Sequence, residues 1–489
     1  MTTTESALFQ LLDIDLADDT ERVLVGGRHL FGVLPQAFAG ISRIGVIGWG
    51  PQGRAQALNL RDSLAGTRIT VTVGLRQGSQ SFASARAEGF SESDGTLGEM
   101  FAVIRESDLV LLLIADAALA ELADEVFAAL RPGAIVGLSH GYLLAHLQEQ
   151  GRAFPSDVSV VAACPKGMGD SVRRLYEQGR QTDGAGINAS VAVHADVNGR
   201  AVDVALGWAV ALGAPYIFWT TLEGEYRSDT VGERAILLGI PHAIAEAVYS
   251  RMVELGDSRR SAFERSTESM TGALARTISR GGLRAVLESV GNGDARRTFE
   301  HAYCATYHAF LPLLVELYDE VEDGLEMASV QHATARLARY PMANVDGSRM
   351  WAVGREVRHA REGDVAIDPL VAGIFCGAMI AQVDLFHDHS HPWSEIANES
   401  IIELVDSLIP YMHARGVAYM IDNCSTTARL GARRWEPRFE AAISQHVFPT
   451  LDSDGGYDGE LIAELEVHPI HDVLATISQF RPSVDIAPV

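Results

Sequence analysis

A glycine-rich loop between an apolar strand and a helical segment constrains the fold of this chain most. We expect Ile44–Ile47 to form a buried strand and Arg54–Leu64 to form a helix. Between them stand Gly48, Trp49, Gly50, Pro51, Gln52 and Gly53, which match the pattern G-x-G-x-x-G. Glycines in this context permit a tight turn and let the backbone approach a pyrophosphate held at the helix N-terminus. The loop therefore predicts a dinucleotide-binding domain.

The end of the following strand distinguishes between the two nicotinamide cofactors. Ile69–Leu75 is expected to be a strand, and Arg76, Ser79 and Ser81 follow it. An NAD site would place an acidic residue here to bind the ribose hydroxyls. A cation with two hydroxyl donors suits the 2′-phosphate of NADP instead, whereas the alternative is an arginine on a solvated loop. We therefore predict that the domain binds NADPH.

Strands and helices alternate from residue 44 to about 220, and helices dominate beyond Ser228. The further expected strands are Leu109–Ile114, Ala134–Leu138, Ser159–Ala163, Ser190–His194 and Pro215–Thr220. The expected long helices are Asp229–Leu255, Ser261–Ser279, Glu300–Val321, Val371–Phe386 and Ser394–His413. This order predicts an α/β Rossmann-type domain with an N-terminal extension over 1–225, followed by an all-helical domain over 226–489.

The helical part shows a weak internal repeat. Ala262–Glu268 resembles Ala397–Glu403 in sequence. We interpret this match as a duplication, with one repeat at about 226–350 and the other at about 365–489.

Composition excludes several classes of partner. Acidic residues outnumber basic ones by 64 to 39, which gives a net charge of -25. Such a field repels nucleic acid and anionic membranes. The apolar run Leu109–Ala115 is far shorter than the ~20 residues of a membrane helix, and Met1–Thr20 has no signal-peptide core. Four cysteines without a C-x-x-C motif indicate reduced, mostly buried thiols in a cytoplasmic protein, and they are Cys164, Cys304, Cys376 and Cys424.

Three pairs of carboxylates are spaced four residues apart in expected helices. On a helix this spacing places both groups on one face, where they repel each other unless a cation lies between them. Hard oxygen ligands suit Mg²⁺. A solvated face is the alternative for any single pair, but apolar residues surround the third pair, and buried carboxylates need a partner. The pairs are Asp229/Glu233, Glu264/Glu268 and Glu399/Glu403.

Polar residues also follow two of the expected strands. His140 comes after Ala134–Ser139, and Lys166 comes after Ser159–Ala163. Doubly wound sheets bind ligands at the carboxyl ends of their strands. A histidine there can hold or move a proton, and a lysine can stabilise an oxyanion, although each such residue taken alone is more often structural. Ser425, in a polar run, by itself suggests only a cap or turn.

Two groups of polar residues are interpreted as non-functional. His387, His389 and His391 alternate as metal ligands can, but they occupy a charged stretch before Pro392. Glu223 and Glu225 are interpreted as part of a solvated hinge.

From about Leu34 onward the chain resembles the ketol-acid reductoisomerases, in their long, plant-like class. The segments that carry the resemblance include IGVIGWGPQG, GLRQGSQSFA, GLSHG, CPKGMG, SDTVGERAILLG, NESIIELVDSL and DNCSTTARLG. These enzymes use Mg²⁺ to isomerise 2-acetolactate or 2-aceto-2-hydroxybutyrate by alkyl migration. They then reduce the product with NADPH to a 2,3-dihydroxy acid, in valine and isoleucine biosynthesis.

The resemblance implies a role for each candidate residue. Two Mg²⁺ ions would be held by Asp229, Glu233, Glu399 and Glu403. Ser425 would bind the substrate carboxylate, His140 and Lys166 would line the reaction site, and Glu403 would be a candidate proton carrier. The cofactor would lie along Gly50, Gln52, Arg76, Ser79, Ser81, Asp116 and Gly169. The long class has a duplicated helical domain, and a homodimer is expected.

Several features depart from the plant pattern or leave alternatives open. Pro51 replaces a small residue in the glycine loop, and Pro241 should kink or break the helix begun at Asp229. The lack of a plastid-targeting extension suggests a bacterial-type cytoplasmic protein. The alternatives are an NADP-dependent β-hydroxyacid dehydrogenase that works without metal, and a non-catalytic NADP-sensing protein. The preferred substrate stays open.

Overall fold

The computed structural model describes residues 5–182, 184–337 and 339–482. They form two compact units. The first contains the chain up to Tyr226 together with a short segment that starts at Ile477, and the second contains Arg227–Thr476. The boundary between the units falls inside helix Leu222–Arg234.

The first unit is built on a sheet of ten strands. In chain order they are β1 (Leu12–Leu16), β2 (Asp19–Val25), β3 (Arg43–Ile47), β4 (Thr70–Leu75), β5 (Leu97–Glu99), β6 (Leu109–Leu112), β7 (Ile135–Leu138), β8 (Ser159–Pro165), β9 (Ala189–Ala195) and β10 (Tyr216–Trp219). Their order across the sheet is β1-β2-β10-β9-β8-β7-β6-β3-β4-β5. Strands β3 to β8 are parallel and follow the doubly wound order, whose switch point lies between β3 and β6.

All seven strands expected from the sequence are present, and the α/β prediction for this part is confirmed. The sequence pattern missed the hairpin of β1 and β2 and the short β5. β9 runs antiparallel to β8, and β2 runs antiparallel to β10. The central strands are apolar on both faces because helices cover both sides of the sheet.

The helices of the first unit are Arg28–Val33 (a 3-10 helix), Leu34–Ala37, Pro51–Ser63, Ser81–Ala87, Met100–Glu106, Asp116–Ala129, Tyr142–Glu149, Gly169–Gln178 and Ala201–Ala211. The α-helices that follow Leu222–Arg234 are Gly239–Glu254, Arg259–Phe263, Ala275–Val290, Asp294–Glu322, Leu325–Leu337, Arg349–His359, Pro369–Asp388, Trp393–Ala397, Ile409–Arg415, Val417–Asn423, Thr426–Ala442, Phe448–Asp452, Gly459–Val467 and Ile470–Ser478. A 3-10 turn spans Val345–Gly347, and π-helical turns span Glu264–Glu268, Met270–Leu274, Asn398–Ile402, Leu404–Leu408 and Ile443–Val447.

The two halves of the helical unit repeat one succession of elements. Each half has a long apolar helix, then a short helix, then two π-helical turns. Helix Gly239–Glu254 of the first half packs on Thr426–Ala442 of the second. In turn, Pro369–Asp388 of the second half packs on Asp294–Glu322 of the first. Each half thus buries its first helix against the other half, and the internal duplication stays a prediction.

Helix Pro369–Asp388 is long and apolar enough to cross a membrane, but 83% of its apolar window is buried inside the structure. By these contacts it acts as a core helix of the second unit.

The helix expected over Asp229–Leu255 is in fact two helices, as Pro241 indicated. Leu222–Arg234 ends before a turn, and Gly239–Glu254 starts the next helix. Pro241 lies in the first turn of that second helix, where its missing N–H costs no hydrogen bond. Asp229 and Glu233 therefore occupy a separate, proline-free helix.

Candidate active site

The glycine loop has the close backbone packing that its sequence predicts. Gly48 has a φ of +120°, and a Cβ there would overlap the carbonyl oxygen of Leu113. A Cβ on Gly53 would lie 2.7 Å from the carbonyl oxygen of Gly48. Pro51 is the first residue of helix Pro51–Ser63, a position where its fixed φ suits the helix. The departure at Pro51 is therefore compatible with the loop.

A second helix begins directly against this loop. Gly169 starts helix Gly169–Gln178, and a Cβ on Gly169 would overlap the carbonyl of Pro51. The Gln52 Nε2 donates a hydrogen bond of 2.7 Å to the carbonyl oxygen of Gly167. Two helix N-termini thus meet at one place, and the positive ends of their dipoles favour an anion there.

The candidate 2′-phosphate residues lie in the loop that follows β4. Arg76 is exposed, and no hydrogen bond or ion pair engages its guanidinium in the described part of the chain. The amide of Ser79 donates to the carbonyl of Arg76 at 3.0 Å, and the amide of Ser81 donates to Ser79 Oγ at 3.2 Å. Asp116 begins the helix after β6, on the other side of the switch point. All these residues follow the carboxyl ends of parallel strands, where such sheets bind ligands.

Lys166 is held by a carboxylate that the sequence interpretation assigned elsewhere. Its Nζ lies 2.6 Å from Glu225 Oε2, with the two side chains only 1% and 2% exposed. Ser190 Oγ donates to the same oxygen at 3.0 Å. The expectation of a solvated hinge is therefore wrong for Glu225, because helix Leu222–Arg234 turns this residue inward. Glu223 is exposed, as expected, and accepts a hydrogen bond from Gln148.

His140 lies in the loop after β7, the parallel neighbour of the strand that precedes Lys166. The amide of Tyr142 donates to His140 Nδ1 at 3.1 Å, so the neutral ring carries its proton on Nε2. The ring packs edge-on to Tyr226 with 6.2 Å between the centroids. A Cβ on Gly141 would overlap the carbonyl of Leu222, so only glycine allows this loop to approach the helix. The geometry presents an N–H donor at a strand end.

In the helical unit the fold brings two of the four expected metal ligands together. One carboxylate oxygen of Asp229 lies within 4.8 Å of one from Glu399. Glu399 is fully buried, and a Cβ on Gly232 would stand 3.4 Å from the Glu399 carbonyl oxygen. Two carboxylates this close in a buried setting repel each other strongly unless a cation joins them. The donor set therefore fits a hard divalent cation.

Hydrogen bonds from Gln382 fix the segment that carries Glu399. Gln382 Nε2 donates to the Glu399 carbonyl at 3.3 Å and to Ser400 Oγ at 3.2 Å, and Gln382 Oε1 accepts from the Ile236 amide. Glu399 lies in a π-helical turn rather than the α-helix expected, and such turns recur at functional sites.

The other two expected ligands, Glu233 and Glu403, both affect the pKa of the Cys424 thiol. Burial raises the pKa of Cys424, and the charges of Glu233 and Glu403 add to that effect. Glu233 also forms a 2.7 Å ion pair with Arg234. The buried guanidinium of Arg234 is shared with Glu326 at 3.1 Å. The ion pair between Glu233 and its sequence neighbour Arg234 was not expected from the sequence.

Ser425 is the N-cap of helix Thr426–Ala442. Its Oγ accepts a hydrogen bond of 3.0 Å from the amide of Ala428, and its side chain is exposed. A capping hydroxyl accepts through oxygen and keeps its own proton as a donor. The position therefore combines a hydroxyl donor with the positive end of a helix, which suits a carboxylate.

The Glu264/Glu268 pair forms ion pairs with arginines. Arg361 donates from Nε and Nη2 to the two oxygens of Glu268 at 2.7 and 2.9 Å. Glu264 pairs with Arg260 at 2.8 Å on a more exposed face. Each carboxylate of the Glu264/Glu268 pair thus has a guanidinium as its partner.

The three alternating histidines, His387, His389 and His391, contact different partners. Tyr318 Oη lies 2.8 Å from His391 Nε2, and His389 Nδ1 lies 2.8 Å from the carbonyl oxygen of Leu385. His387 stacks on Trp393. The three rings are engaged separately.

Comparison with known proteins identifies the family. Residues 41–216 match the family model described as acetohydroxy acid isomeroreductase, NADPH-binding domain. Residues 222–362 match that of the ketol-acid reductoisomerase C-terminal domain. The chloroplastic ketol-acid reductoisomerase of Spinacia oleracea is 49% identical over 99% of this chain and 83% of its own length. The chain belongs to the ketol-acid reductoisomerase family.

Other ketol-acid reductoisomerases extend the comparison. The chloroplastic protein of Pisum sativum is also 49% identical, over 99% of this chain and 85% of its own length. A solved NADH-preferring ketol-acid reductoisomerase from an uncultured archean shares the fold, with a TM-score of 0.56 at 23% identity. It covers 68% of this chain and 97% of its own.

The expectation of a cytoplasmic protein is wrong. Both plant relatives, which align with almost the whole chain, are chloroplastic proteins. The expectation rested on the cysteine usage and on the lack of a targeting extension, and neither feature identifies a compartment. The prediction of NADPH over NADH is in turn supported by the NADPH-binding family model.

Sequence reasoning missed Glu225 as a functional candidate. A signal was present, because Glu225, Asp229 and Glu233 follow one another at four-residue intervals on one helix. Such a series places all three carboxylates on the same helical face.

Proposed function

We propose that this chain isomerises 2-acetolactate and 2-aceto-2-hydroxybutyrate in a Mg²⁺-dependent step and then reduces the product with NADPH. The products are 2,3-dihydroxy-3-methyl acids of valine and isoleucine biosynthesis. Each unit supplies its own part of this chemistry. The nucleotide unit supplies the cofactor site with Lys166 and His140, and the helical unit supplies the carboxylates and Ser425.

The observation that carries the proposal is the pairing of Asp229 with buried Glu399, whose oxygens lie within 4.8 Å of each other. Together with Glu233 and Glu403 they would hold two Mg²⁺ ions. When bound, the ions acidify the C2 hydroxyl of the substrate and polarise its neighbouring carbonyl.

The chain's own residues bind the substrate and handle its protons. The C2 hydroxyl loses its proton as the alkyl group moves from C2 to C3, and the C3 oxygen gains a proton. Glu403, only 8% exposed, is the candidate carrier for these protons. Ser425 would donate its hydroxyl proton to the substrate carboxylate.

In the second step a hydride passes from NADPH to C2, and the C2 oxygen takes up a proton. We propose that Lys166 stabilises negative charge on oxygen, because Glu225 fixes its ammonium in a buried position. His140 would present its Nε2 proton as a further donor. Arg76, Ser79 and Ser81 would hold the 2′-phosphate, and the glycine loop with Gly169 would hold the pyrophosphate.

The deciding assay follows NADPH oxidation with 2-acetolactate, with and without Mg²⁺. If the proposal is right, turnover occurs only with metal. Turnover is lost in Glu399→Gln and retained in Glu264→Gln, which serves as the matched control. Turnover without metal would favour a β-hydroxyacid dehydrogenase. Cofactor binding with no turnover under either condition would favour an NADP-sensing protein.

A second assay separates the two half-reactions. Isomerisation of 2-acetolactate should need the metal and Glu403, because only the alkyl shift requires hydroxyl and carbonyl to be polarised together. Reduction of the already rearranged 2-keto acid should need NADPH and tolerate a change of metal. A Glu403→Gln variant that isomerised acetolactate at the wild-type rate would contradict this division. We further propose a homodimer, which sedimentation velocity tests directly.

A further inference from the structure

A second cluster of metal-ligating side chains lies within the helical unit. His242 and Glu246 are spaced four apart on helix Gly239–Glu254, and Glu436 lies on helix Thr426–Ala442. One ligand atom from each of the three lies within 4.8 Å of the others. Glu440, one turn beyond Glu436, interacts electrostatically with His242 and Glu246. None of these residues belongs to the expected Mg²⁺ set.

Glu436 supplies the observation that points to a ligand. Its side chain is 7% exposed, and among the described residues its buried Oε1 has no hydrogen-bond partner. A buried carboxylate oxygen without a partner is costly. In the described part of the chain, none of the four groups forms an ion pair with a lysine or arginine. Three carboxylates thus share one imidazole as their only basic neighbour in the cluster.

The titration behaviour reflects the same shortage of positive charge. Burial raises the pKa of Glu436 to about 7, with help from Glu246 and Glu440 and against the effect of His242. Burial lowers the pKa of His242, but its hydrogen bond to Glu246 and the charges of Glu436 and Glu440 raise it overall. In the absence of another cation, bound protons therefore reduce the repulsion among these carboxylates.

The cluster is also preorganised. Trp351 Nε1 donates to Glu246 Oε1 at 2.9 Å, and His242 Nε2 lies 3.1 Å from the same oxygen. Neither of these contacts uses Glu246 Oε2. The Glu246 side chain is 30% exposed, which gives an ion a route from solvent.

We propose that His242, Glu246 and Glu436 form a binding site for a divalent transition-metal ion, Zn²⁺ above all. One imidazole nitrogen with carboxylate oxygens is a ligand set that Zn²⁺ accepts. Ligands at ~2.1 Å from a tetrahedral ion lie ~3.4 Å apart, so side-chain movements of about an ångström would close the site. Water or Glu440 would complete the coordination.

The ion would join the two halves of the helical unit. Helix Gly239–Glu254 belongs to the first repeat and Thr426–Ala442 to the second, and each contributes at least one ligand. Binding would release the proton shared by His242 and Glu246 and the proton on Glu436. The role is therefore structural, and it is separate from the proposed Mg²⁺ chemistry.

The first test uses Mn²⁺ as a spectroscopic probe on the full-length protein after metal removal with a chelator. The expected Mg²⁺ ligands are all oxygens, so a nitrogen nucleus directly coupled to Mn²⁺ reports only the new site. Electron spin echo envelope modulation should show one coordinated imidazole in the wild type. It should vanish in His242→Gln and persist in His308→Gln, an exposed histidine control, and in Glu399→Gln. No nitrogen modulation in the wild type at saturating Mn²⁺, or its survival in His242→Gln, would overturn the proposal.

The second test uses Zn²⁺ itself in the presence of saturating Mg²⁺. At a hundredfold excess over Kd, Zn²⁺ should raise the Tm of the wild type by about 5–10 °C. It should leave Glu436→Gln unchanged, and circular dichroism in chelator verifies that this variant is folded. An equal shift in both proteins would overturn the site. Failure of the proposed function would be recognised separately, as a lack of NADPH turnover in a wild type that still shows the nitrogen signal.

Discussion

Replacing either carboxylate of the Glu264/Glu268 pair by glutamine makes the same chemical change in two contrasting environments. Glu268 is 3% exposed and receives both arms of Arg361, whereas Glu264 is 31% exposed and pairs with Arg260, itself 57% exposed. We expect neither variant to lose turnover, because at this pair arginines occupy the place of a metal. The two should differ sharply in stability.

The magnitude follows from burial. An exposed ion pair contributes about 0.2–1 kcal/mol, so Glu264→Gln should cost at most about 0.5 kcal/mol. Burial raises the pKa of Glu268, and the charge and hydrogen bonds of Arg361 oppose that rise, so the carboxylate is stabilised chiefly by this partner. Removing one partner, however, leaves the guanidinium of Arg361, 21% exposed, without its counterion. Breaking a buried pair in this way costs ~3 kcal/mol or more.

Scanning calorimetry measures the difference. For a unit of this size each kcal/mol shifts Tm by about 2–4 °C, so Glu268→Gln should lower Tm by about 6–12 °C and Glu264→Gln by less than about 2 °C. Mg²⁺-dependent turnover is measured on the same samples below the transition. Loss of activity and Mg²⁺ binding in Glu268→Gln without loss of stability would refute the reasoning, and so would activity that survives in Glu399→Gln.

Four further outcomes are expected. Arg76→Asp should weaken NADPH by about ten- to a hundredfold and spare NADH, since a charge-assisted phosphate contact contributes ~1.5–3 kcal/mol; equal loss for both cofactors in fluorescence titrations would contradict the assignment. Gly169→Ala should weaken NADPH binding in the same titrations, because its Cβ would overlap the Pro51 carbonyl. Glu225→Gln should shift the alkaline limb of the pH profile of turnover to lower pH, because the Lys166 ammonium loses its counterion. In chelator, Glu436→Gln should be more stable than the wild type at pH 8 by up to ~3 kcal/mol and equal to it near pH 4.5. A carboxyl whose pKa rises from 4.5 to about 7 on folding makes a contribution to stability that is lost as pH rises through that window, and a constant Tm difference across it would refute the assignment.

Much of the nucleotide unit could be predicted because its signals are local. A short apolar run with a glycine loop after it specifies strand, turn and helix within twenty residues, and all seven expected strands are present. The missed hairpin of β1 and β2 lacks such a signal. β1 has several exposed residues, and only its pairing along the sheet edge makes it a strand.

Partners that are distant in sequence could not be predicted in the same way. Lys166 and Glu225 are 59 residues apart, and Arg361 is 93 residues from Glu268. Spacing along one helix shows which carboxylates share a face, but it cannot show which cation the fold brings to that face. Glu225 was consequently interpreted as solvated although it is buried, and three pairs of carboxylates looked alike.

The two halves of the helical unit differ in how the negative charge of their closely spaced carboxylates is compensated. Each carries closely spaced carboxylates in a segment of π-helical turns, where burial makes an uncompensated negative charge expensive. For Glu268 the compensating positive charge belongs to a side chain of the protein itself, because Arg361 donates to both of its carboxylate oxygens. An arginine that donates to both carboxylate oxygens takes the place of a metal ion. Unlike an ion, it offers no coordination position for a substrate oxygen. Glu399 of the second half instead lies close to Asp229 of the first half, and Arg234, which pairs with Glu233, also pairs with Glu326. An exchangeable ion that can also bind substrate oxygens is compatible only with this second arrangement, so a duplicated unit with one arginine-filled pair is expected to support one reaction site per chain.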